Sequence, residues 1–257
     1  MSNDSTSIHE FDFAQICEYF SYLDRQGPGS EAVTIKALSF IDNLTPQSVI
    51  VDLGCGTGGQ TLTLGMNTFG QITGLDLYPE FIEIFNRNSS KLNLLPRVKG
   101  VVGSMDNLPF EKESIDLIWF EGAIYNIGFE RGLREWSQYL RQSGYVAVTE
   151  VSWLTNDRPK EIEDFWMEQY PEIDTIAKKV SQLADTGFLP IASFVLPESC
   201  WIDNFYAPQV EAQEKFLKKY AGNKGAEDYI AFERYERGLY YKYKEYYGYV
   251  FYIGKKR

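Results

Sequence analysis

The chain of 257 residues has a single histidine, His9, and three cysteines, Cys17, Cys55 and Cys200, far apart in sequence. So sparse and odd a set of thiols excludes a secreted disulfide framework and fits reduced cysteines in a cytoplasm. No pair of them has the close spacing of a Cys-bound zinc site, so no metal is expected. His9 sits in a polar N-terminal stretch and reads as a surface residue rather than a catalytic base. No apolar run approaches the ~18 residues of a membrane-spanning helix, and Met1–Glu10 shows no apolar core after a basic start, so no signal peptide is expected. Basic charge is also scarce. The formal net charge is −11, and neither the first 150 residues nor the remainder is basic. Duplex nucleic acid and anionic membranes are therefore poor partners, since phosphate binding needs Lys and Arg. No internal repeat is visible.

Aromatic residues are abundant, at 16%, and hydrophobic residues make up 44%, a balance able to bury a core without staples. The pattern along the chain is mixed. Residues 10–24 and 31–43 have helical spacing, separated by Arg25–Ser30 (RQGPGS), with Ser30 placed to cap the second helix. Val49–Leu53 (VIVDL) reads as a buried parallel strand. Strands at 71–75, 98–103, 115–120 and 145–151 then alternate with helices at 60–66, 79–88 and 130–140. That alternation implies βαβ units and a mostly parallel sheet. Beyond it come a helical stretch at 159–184, a strand at 191–196, a long polar helical segment at 208–245 broken near Gly222–Gly225, and a last strand at 246–253. Ten of the 18 tyrosines lie between Tyr220 and Tyr252.

The segment with chemical meaning is VIVDLGCGTGG, residues 49–59. An apolar strand runs into a glycine-rich turn, which lets a ligand approach bare backbone at a helix N-terminus. The carboxyl end of a first strand is where open α/β sheets bind ligands. Gly54, Gly56 and Gly59 meet the G-x-G-x-x-G spacing of a dinucleotide site; Gln60 stands where a phosphate-binding loop needs Lys and removes that reading. Asp52, Gly54, Gly56 and Gly58 also match D/E-x-G-x-G-x-G at every position, and these residues resemble the first motif of class I S-adenosylmethionine-dependent methyltransferases. Asp76 ends the second strand 22 residues after Gly54, where an acidic side chain can accept from both ribose hydroxyls; capping of the helix that starts at Pro79 is the plainer alternative.

Further segments extend the resemblance over roughly residues 48–151: VKGVVGSMDNLPF (98–110), SIDLIWFEG (114–122) and LRQSGYVAVTE (140–150). They look most like the ubiquinone/menaquinone-biosynthesis type and its small-molecule relatives. The resemblance implies a Rossmann-like α/β three-layer sandwich: a mainly parallel seven-stranded sheet with an antiparallel last strand, plus helical caps. It implies S-adenosylmethionine as cofactor and a small-molecule methyl acceptor. The cofactor-binding set it implies is Asp52, Gly54, Cys55, Gly56, Gly58, Asp76, Leu77, Ser104, Met105, Asp106, Glu121 and Arg25. Ser104 stands where the family has an acidic residue for the adenine amino group. Trp119, Tyr125 and Trp153, near the ends of strands four and five, are the expected acceptor-pocket residues, and Glu121, Glu150 and Tyr125 the catalytic candidates.

The expected organisation is one domain: a helical cap (1–46), the cofactor core (48–151) and an insertion (197–245) that closes as a substrate lid. A homodimer is compatible with it. A nicotinamide-dependent oxidoreductase and a non-catalytic binder of the same cofactor are the alternatives, and neither the acceptor nor the atom methylated is specified.

Overall fold

The computed structural model describes residues 11–257, so His9 lies outside the described residues. In chain order the elements are α1 (Phe13–Phe20), α2 (Glu31–Leu38), β1 (Val49–Leu53), α3 (Gly59–Asn67), β2 (Gln71–Asp76), α4 (Pro79–Lys91), β3 (Val98–Val102), β4 (Ile115–Phe120), α5 (Phe129–Trp136) and β5 (Leu140–Trp153). They continue with α6 (Lys160–Gln169), β6 (Asp174–Thr175), α7 (Ile176–Asp185), β7 (Phe188–Val195), α8 (Ser199–Trp201), α9 (Ala207–Lys219), α10 (Lys224–Tyr243) and β8 (Tyr247–Lys256). The strands form one sheet in the order β3-β2-β1-β4-β5-β8-β7, with the two-residue β6 paired to β5. Pairing is parallel from β3 to β5 and antiparallel where β8 meets β5 and β7. This is the expected seven-strand path; β6 is an addition that two residues of alternating character could not announce.

Both faces of the sheet are covered. Leu117 and Trp119 of β4 belong to one apolar cluster, Ile118 and Phe120 to another, and all four are fully buried. A strand buried on two sides loses the apolar/polar alternation of a half-exposed one. Each such side chain contributes roughly 1.5–3 kcal/mol by leaving water. Local signals place the helix ends. Ser30 caps α2, its Oγ accepting from the Val33 N–H at 3.2 Å. Asp12 does the same for α1, accepting from Ala14 and Gln15. The expected helix over 159–184 divides at Tyr170–Ile173, where Pro171 removes a backbone donor. The long C-terminal helix divides at Gly222, whose φ of +79° ends α9.

The sheet reverses its winding between β1 and β4, with β2 and β3 on one side and β5 on the other. Ligand crevices form at such a reversal, outside the carboxyl ends of the strands. α1 lies over this crevice. It is held to α9 and α10 by a small aromatic cluster in which Tyr19, Phe216 and Tyr229 meet edge to face.

Candidate functional site

A cavity of about 490 Å³ opens at the reversal. The carboxyl ends of four parallel strands contribute to it: Gly54 and Gly56 after β1, Leu75 and Asp76 from β2, Gly103 and Met105 after β3, Glu121 and Gly122 after β4. Arg25, Gln26 and the aromatic residues of α1 form its outer wall. Of the residues the sequence singled out, Gly54, Gly56, Asp76, Leu77, Met105, Asp106, Glu121, Arg25 and Tyr125 all line this one cavity.

The glycine loop is shaped from two sides. Gly56 has φ +53°, a left-handed conformation that side chains rarely adopt. The Gln26 amide lies where a Cβ on Gly56 would stand. Gln26 is fixed there: its Nε2 donates to the Leu23 carbonyl at 2.9 Å and to Thr57 Oγ1 at 3.0 Å, and its Oε1 accepts from the Thr57 N–H at 3.0 Å. Beneath the loop, the ring of Phe85 from α4 fits among Gly58, Gly74 and Gly100, where any Cβ would collide with it. Gly58 therefore serves packing.

Asp76 holds the loop by its carboxylate. One oxygen accepts from the Gly56 N–H at 2.9 Å and the other from the Tyr78 N–H at 3.0 Å. Burial raises its pKa, and the backbone donors Tyr78, Gly56 and Leu77 work against that rise. Asp52 is wholly buried below the turn. Its Oδ2 accepts from the Thr61 hydroxyl, its Oδ1 has no partner among the described residues, and burial pushes its pKa well up. Cys55 is also fully buried, its thiol packed against Gly74, and burial raises its pKa. Asp52, Cys55, Gly58 and Ser104 thus support the cavity without lining it; Ser104 Oγ accepts from the Asp106 N–H at 3.1 Å.

Glu121 joins α2 and the loop before it to the sheet. Its side chain is 3% exposed and forms an ion pair with Arg25 at 3.1 Å. It also accepts from Thr34 Oγ1 of α2 at 2.8 Å and from the Trp119 indole at 2.9 Å. Trp119 was expected in the acceptor pocket. It is instead fully buried in the core, edge to face with Phe251, and acts on the cavity only by orienting Glu121. Trp153 is corrected likewise. It is 2% exposed, packs against Tyr247 and carries the Arg158 guanidinium over its ring, and it lines neither this cavity nor the next.

A second cavity, about 140 Å³, shares Phe20, Gln26, Gly27, Gly122, Ala123 and Tyr125 with the first and runs deeper beneath α8 and α10. Glu150 lies at its wall, 2% exposed, accepting from Lys179 Nζ at 2.7 Å and from the Tyr170 hydroxyl at 2.6 Å. Two further carboxylates, Glu233 and Glu236 of α10, line it. The sequence reading missed them: in a helix as charged as EDYIAFERYERG, acidic residues read as solvated. Their spacing, on the buried face with Tyr229, Ile230 and Tyr240, was the available signal. Among the described residues, no group of acidic, His and Cys side chains could hold a metal, and no helix is long and apolar enough to cross a membrane.

A protein-family profile described as a methyltransferase domain matches residues 51–148. The probable cobalt-precorrin-6B C(15)-methyltransferase (decarboxylating) of Methanobrevibacter smithii is 29% identical over 45% of this chain and 58% of its own. A demethylmenaquinone methyltransferase of Staphylococcus epidermidis is 28% identical over 43% of this chain and 46% of its own. The chain spans about half the length of these curated relatives. In fold, the S-adenosylmethionine-dependent methyltransferase of Geobacter sulfurreducens, solved with S-adenosyl-L-homocysteine, superposes with a TM-score of 0.81 over 96% of this chain and 99% of that one, at 17% identity. Residues 51–148 are thus similar to a methyltransferase domain, the curated relatives include the ubiquinone/menaquinone-biosynthesis type, and the fold is that of solved S-adenosylmethionine-dependent methyltransferases.

Proposed function

We propose that this protein transfers a methyl group from S-adenosylmethionine to a small-molecule acceptor by in-line displacement. The observation that carries the reading is the joint presence, in one cavity, of the bare glycine loop at Gly54–Gly56 and the Asp76 carboxylate, at the reversal of the sheet. The residues fit such a cofactor. Gly54 and Gly56 line the cavity with left-handed backbone, at φ +67° and +53°, which side chains rarely adopt. Asp76 is placed to accept from ribose hydroxyls, and Met105 and Leu77 offer apolar surface beside it. Arg25 brings a positive charge to the cavity for a carboxylate, although Glu121 already holds one of its N–H groups.

The cofactor supplies a methyl already activated on a sulfonium. The chain's own task is to orient the acceptor and keep water out, and a near-attack pose supplies much of the rate. Tyr125, which lines both cavities, and Phe20 stand between the two. We assign residues 11–46, the described part of the expected 1–46 segment, to a cap, 48–151 to the cofactor core and 197–245 to a lid over the acceptor. A cytoplasmic location accords with three free, buried thiols.

Calorimetric titration with S-adenosylhomocysteine and with NADH tests the cofactor assignment, and release of S-adenosylhomocysteine with a broad acceptor panel tests turnover. Binding of the first ligand alone is expected. Asp76→Ala should weaken it by ~1.5–3 kcal/mol, the range for hydrogen bonds to a charged group. Preference for NADH would overturn the reading, and tight binding with no turnover on any acceptor would make the protein a binder of this cofactor only.

A further inference from the structure

The second cavity has a composition that its neighbour lacks. Its walls are aromatic, with Phe165, Trp166, Trp201, Phe232 and Tyr249 all facing it. Its charges are of one sign. Glu150, Glu233 and Glu236 line it, and no Lys or Arg among the described residues does. Glu150 is already neutralised by Lys179, but the other two are not. Glu233 is 6% exposed and forms no ion pair among the described residues. The buried Tyr229 hydroxyl, on the preceding turn of α10, is the polar group beside it. Glu236, one turn on from Glu233, has a single long contact with the Tyr206 hydroxyl, at 3.4 Å.

Two carboxylates side by side, one buried and one half-buried, are costly. Burial raises the pKa of each, and for Glu233 the charge of Glu236 raises it further. Folding gains nothing from leaving them unpaired, since a buried charge without a partner is destabilising. A ligand cation would remove that cost. Aromatic faces around carboxylates are also the surroundings in which organic ammonium groups are held, because the ring quadrupole attracts a cation. At about 140 Å³ the cavity matches in size the roughly 150 Å³ space that admits one benzene ring.

We infer that this second cavity binds the methyl acceptor as a small organic amine, its ammonium form held by Glu233 and Glu236 and its carbon substituents by the aromatic walls, so that transfer is to nitrogen. This rests on the methyltransferase reading for its chemistry, but the binding stands apart from it. In the transfer, the amine first gives up its ammonium proton to the carboxylate pair. The nitrogen lone pair then forms the new N–C bond as the donor's C–S bond breaks, and that electron pair stays on sulfur as a neutral thioether.

Benzylamine and its neutral counterpart benzyl alcohol, titrated by calorimetry into the full chain with and without saturating S-adenosylhomocysteine, test the inference. Benzylamine should bind at least tenfold more tightly than the alcohol. The double variant Glu233→Gln/Glu236→Gln should lose that preference while S-adenosylhomocysteine affinity, which reports an intact fold, is kept. Equal affinities for amine and alcohol in the unaltered protein, or a preference that survives in the variant, would overturn it. Should the variant not fold, the wild-type comparison decides alone. Amine preference in a protein that fails to bind S-adenosylhomocysteine would support the amine site and overturn the cofactor assignment instead.

Discussion

The guanidinium of Arg25 and the carboxylate of Glu121, 96 residues apart in sequence, meet at 3.1 Å where the loop between α1 and α2 crosses the end of β4. Both side chains are shielded, 13% and 3% exposed, so the pair is not a surface salt bridge of negligible worth. Arg25→Ala leaves Glu121 buried with only the neutral donors Thr34 and Trp119. Removing one partner of a buried pair typically costs ~3–5 kcal/mol. Urea denaturation of the variant should show a loss at the lower end of that range, because those two donors remain. Glu121→Gln, which keeps an acceptor for them, should cost less than Glu121→Ala.

The cradle at Gly56 gives a prediction with two separable parts. Gly56→Val meets both the left-handed backbone and the Gln26 amide. S-adenosylhomocysteine affinity should fall at least ~10-fold, about 1.4 kcal/mol, and the cap should loosen as Gln26 is driven from Thr57. Placing Gln26→Gly in the same chain removes the collision but not the backbone strain. Calorimetry and thermal melts across the four proteins should therefore show a coupling of sign opposite to simple addition, with part of the stability loss recovered. Strict additivity would mean that Gln26 gives way at no cost.

Acidity offers a test of Glu233. Its folded-state pKa is raised by burial and by Glu236, with the Tyr229 hydroxyl and Arg237 acting the other way and Tyr206, Tyr249 and the neutralised Glu150 nearby. A carboxyl raised on folding binds more protons in the native than in the unfolded chain between the two pKa values. Stability then falls as pH rises through that window, which begins near the ordinary Glu value of ~4.3. Glu233→Gln should flatten the descent, leaving the variant more stable than the parent at pH 8 and little changed at pH 4. Chemical denaturation at the two pH values measures this, and a parallel pair of curves would count against it.

Lys179 has no exposed surface, and its partner Glu150 almost none. The ammonium also lies 4.8 Å from the centre of the Phe129 ring. Burial raises the Glu150 pKa, with Lys179 and the Tyr170 hydroxyl opposing the rise. Lys179→Met should destabilise by ~3–5 kcal/mol, since Glu150 is left uncompensated, whereas Lys179→Met with Glu150→Leu should recover most of the loss. Equilibrium unfolding of the single and double variants distinguishes a structural pair from one that adds net stability.

Much of this site could be seen in the residues alone. The run VIVDLGCGTGG announces β1, the turn and the helix behind it because glycine and β-branched residues have few other uses in that order. Asp76 was legible as an acidic residue ending a strand, and Ser30 as a cap. The facing of Trp119 and Trp153 was not. In IDLIWF neighbouring side chains are apolar on both faces of the sheet, so nothing in the pattern says which face opens toward a ligand. Glu233 and Glu236 were hidden differently. Their surroundings come from Trp201, Phe165 and Tyr249, all distant in sequence, and burial of a charge is a property of the assembled fold.

The placement of β8 bears on how the protein is made. Nine consecutive residue pairs join β5 to β8, and among the described residues β8 is the one strand beside β7. On the ribosome, β3-β2-β1-β4-β5 can assemble once residue 153 has emerged, but the outer edge of β5 then waits, unpaired, for nearly a hundred more residues. Open strand edges are templates for wrong pairing. The helices α6 to α10 are synthesised during that interval. A nascent chain stalled before residue 247 would leave the outer edge of β5 open and β7 without its partner, so that translation of the ten-residue β8 is the step that joins β7 to the rest of the sheet.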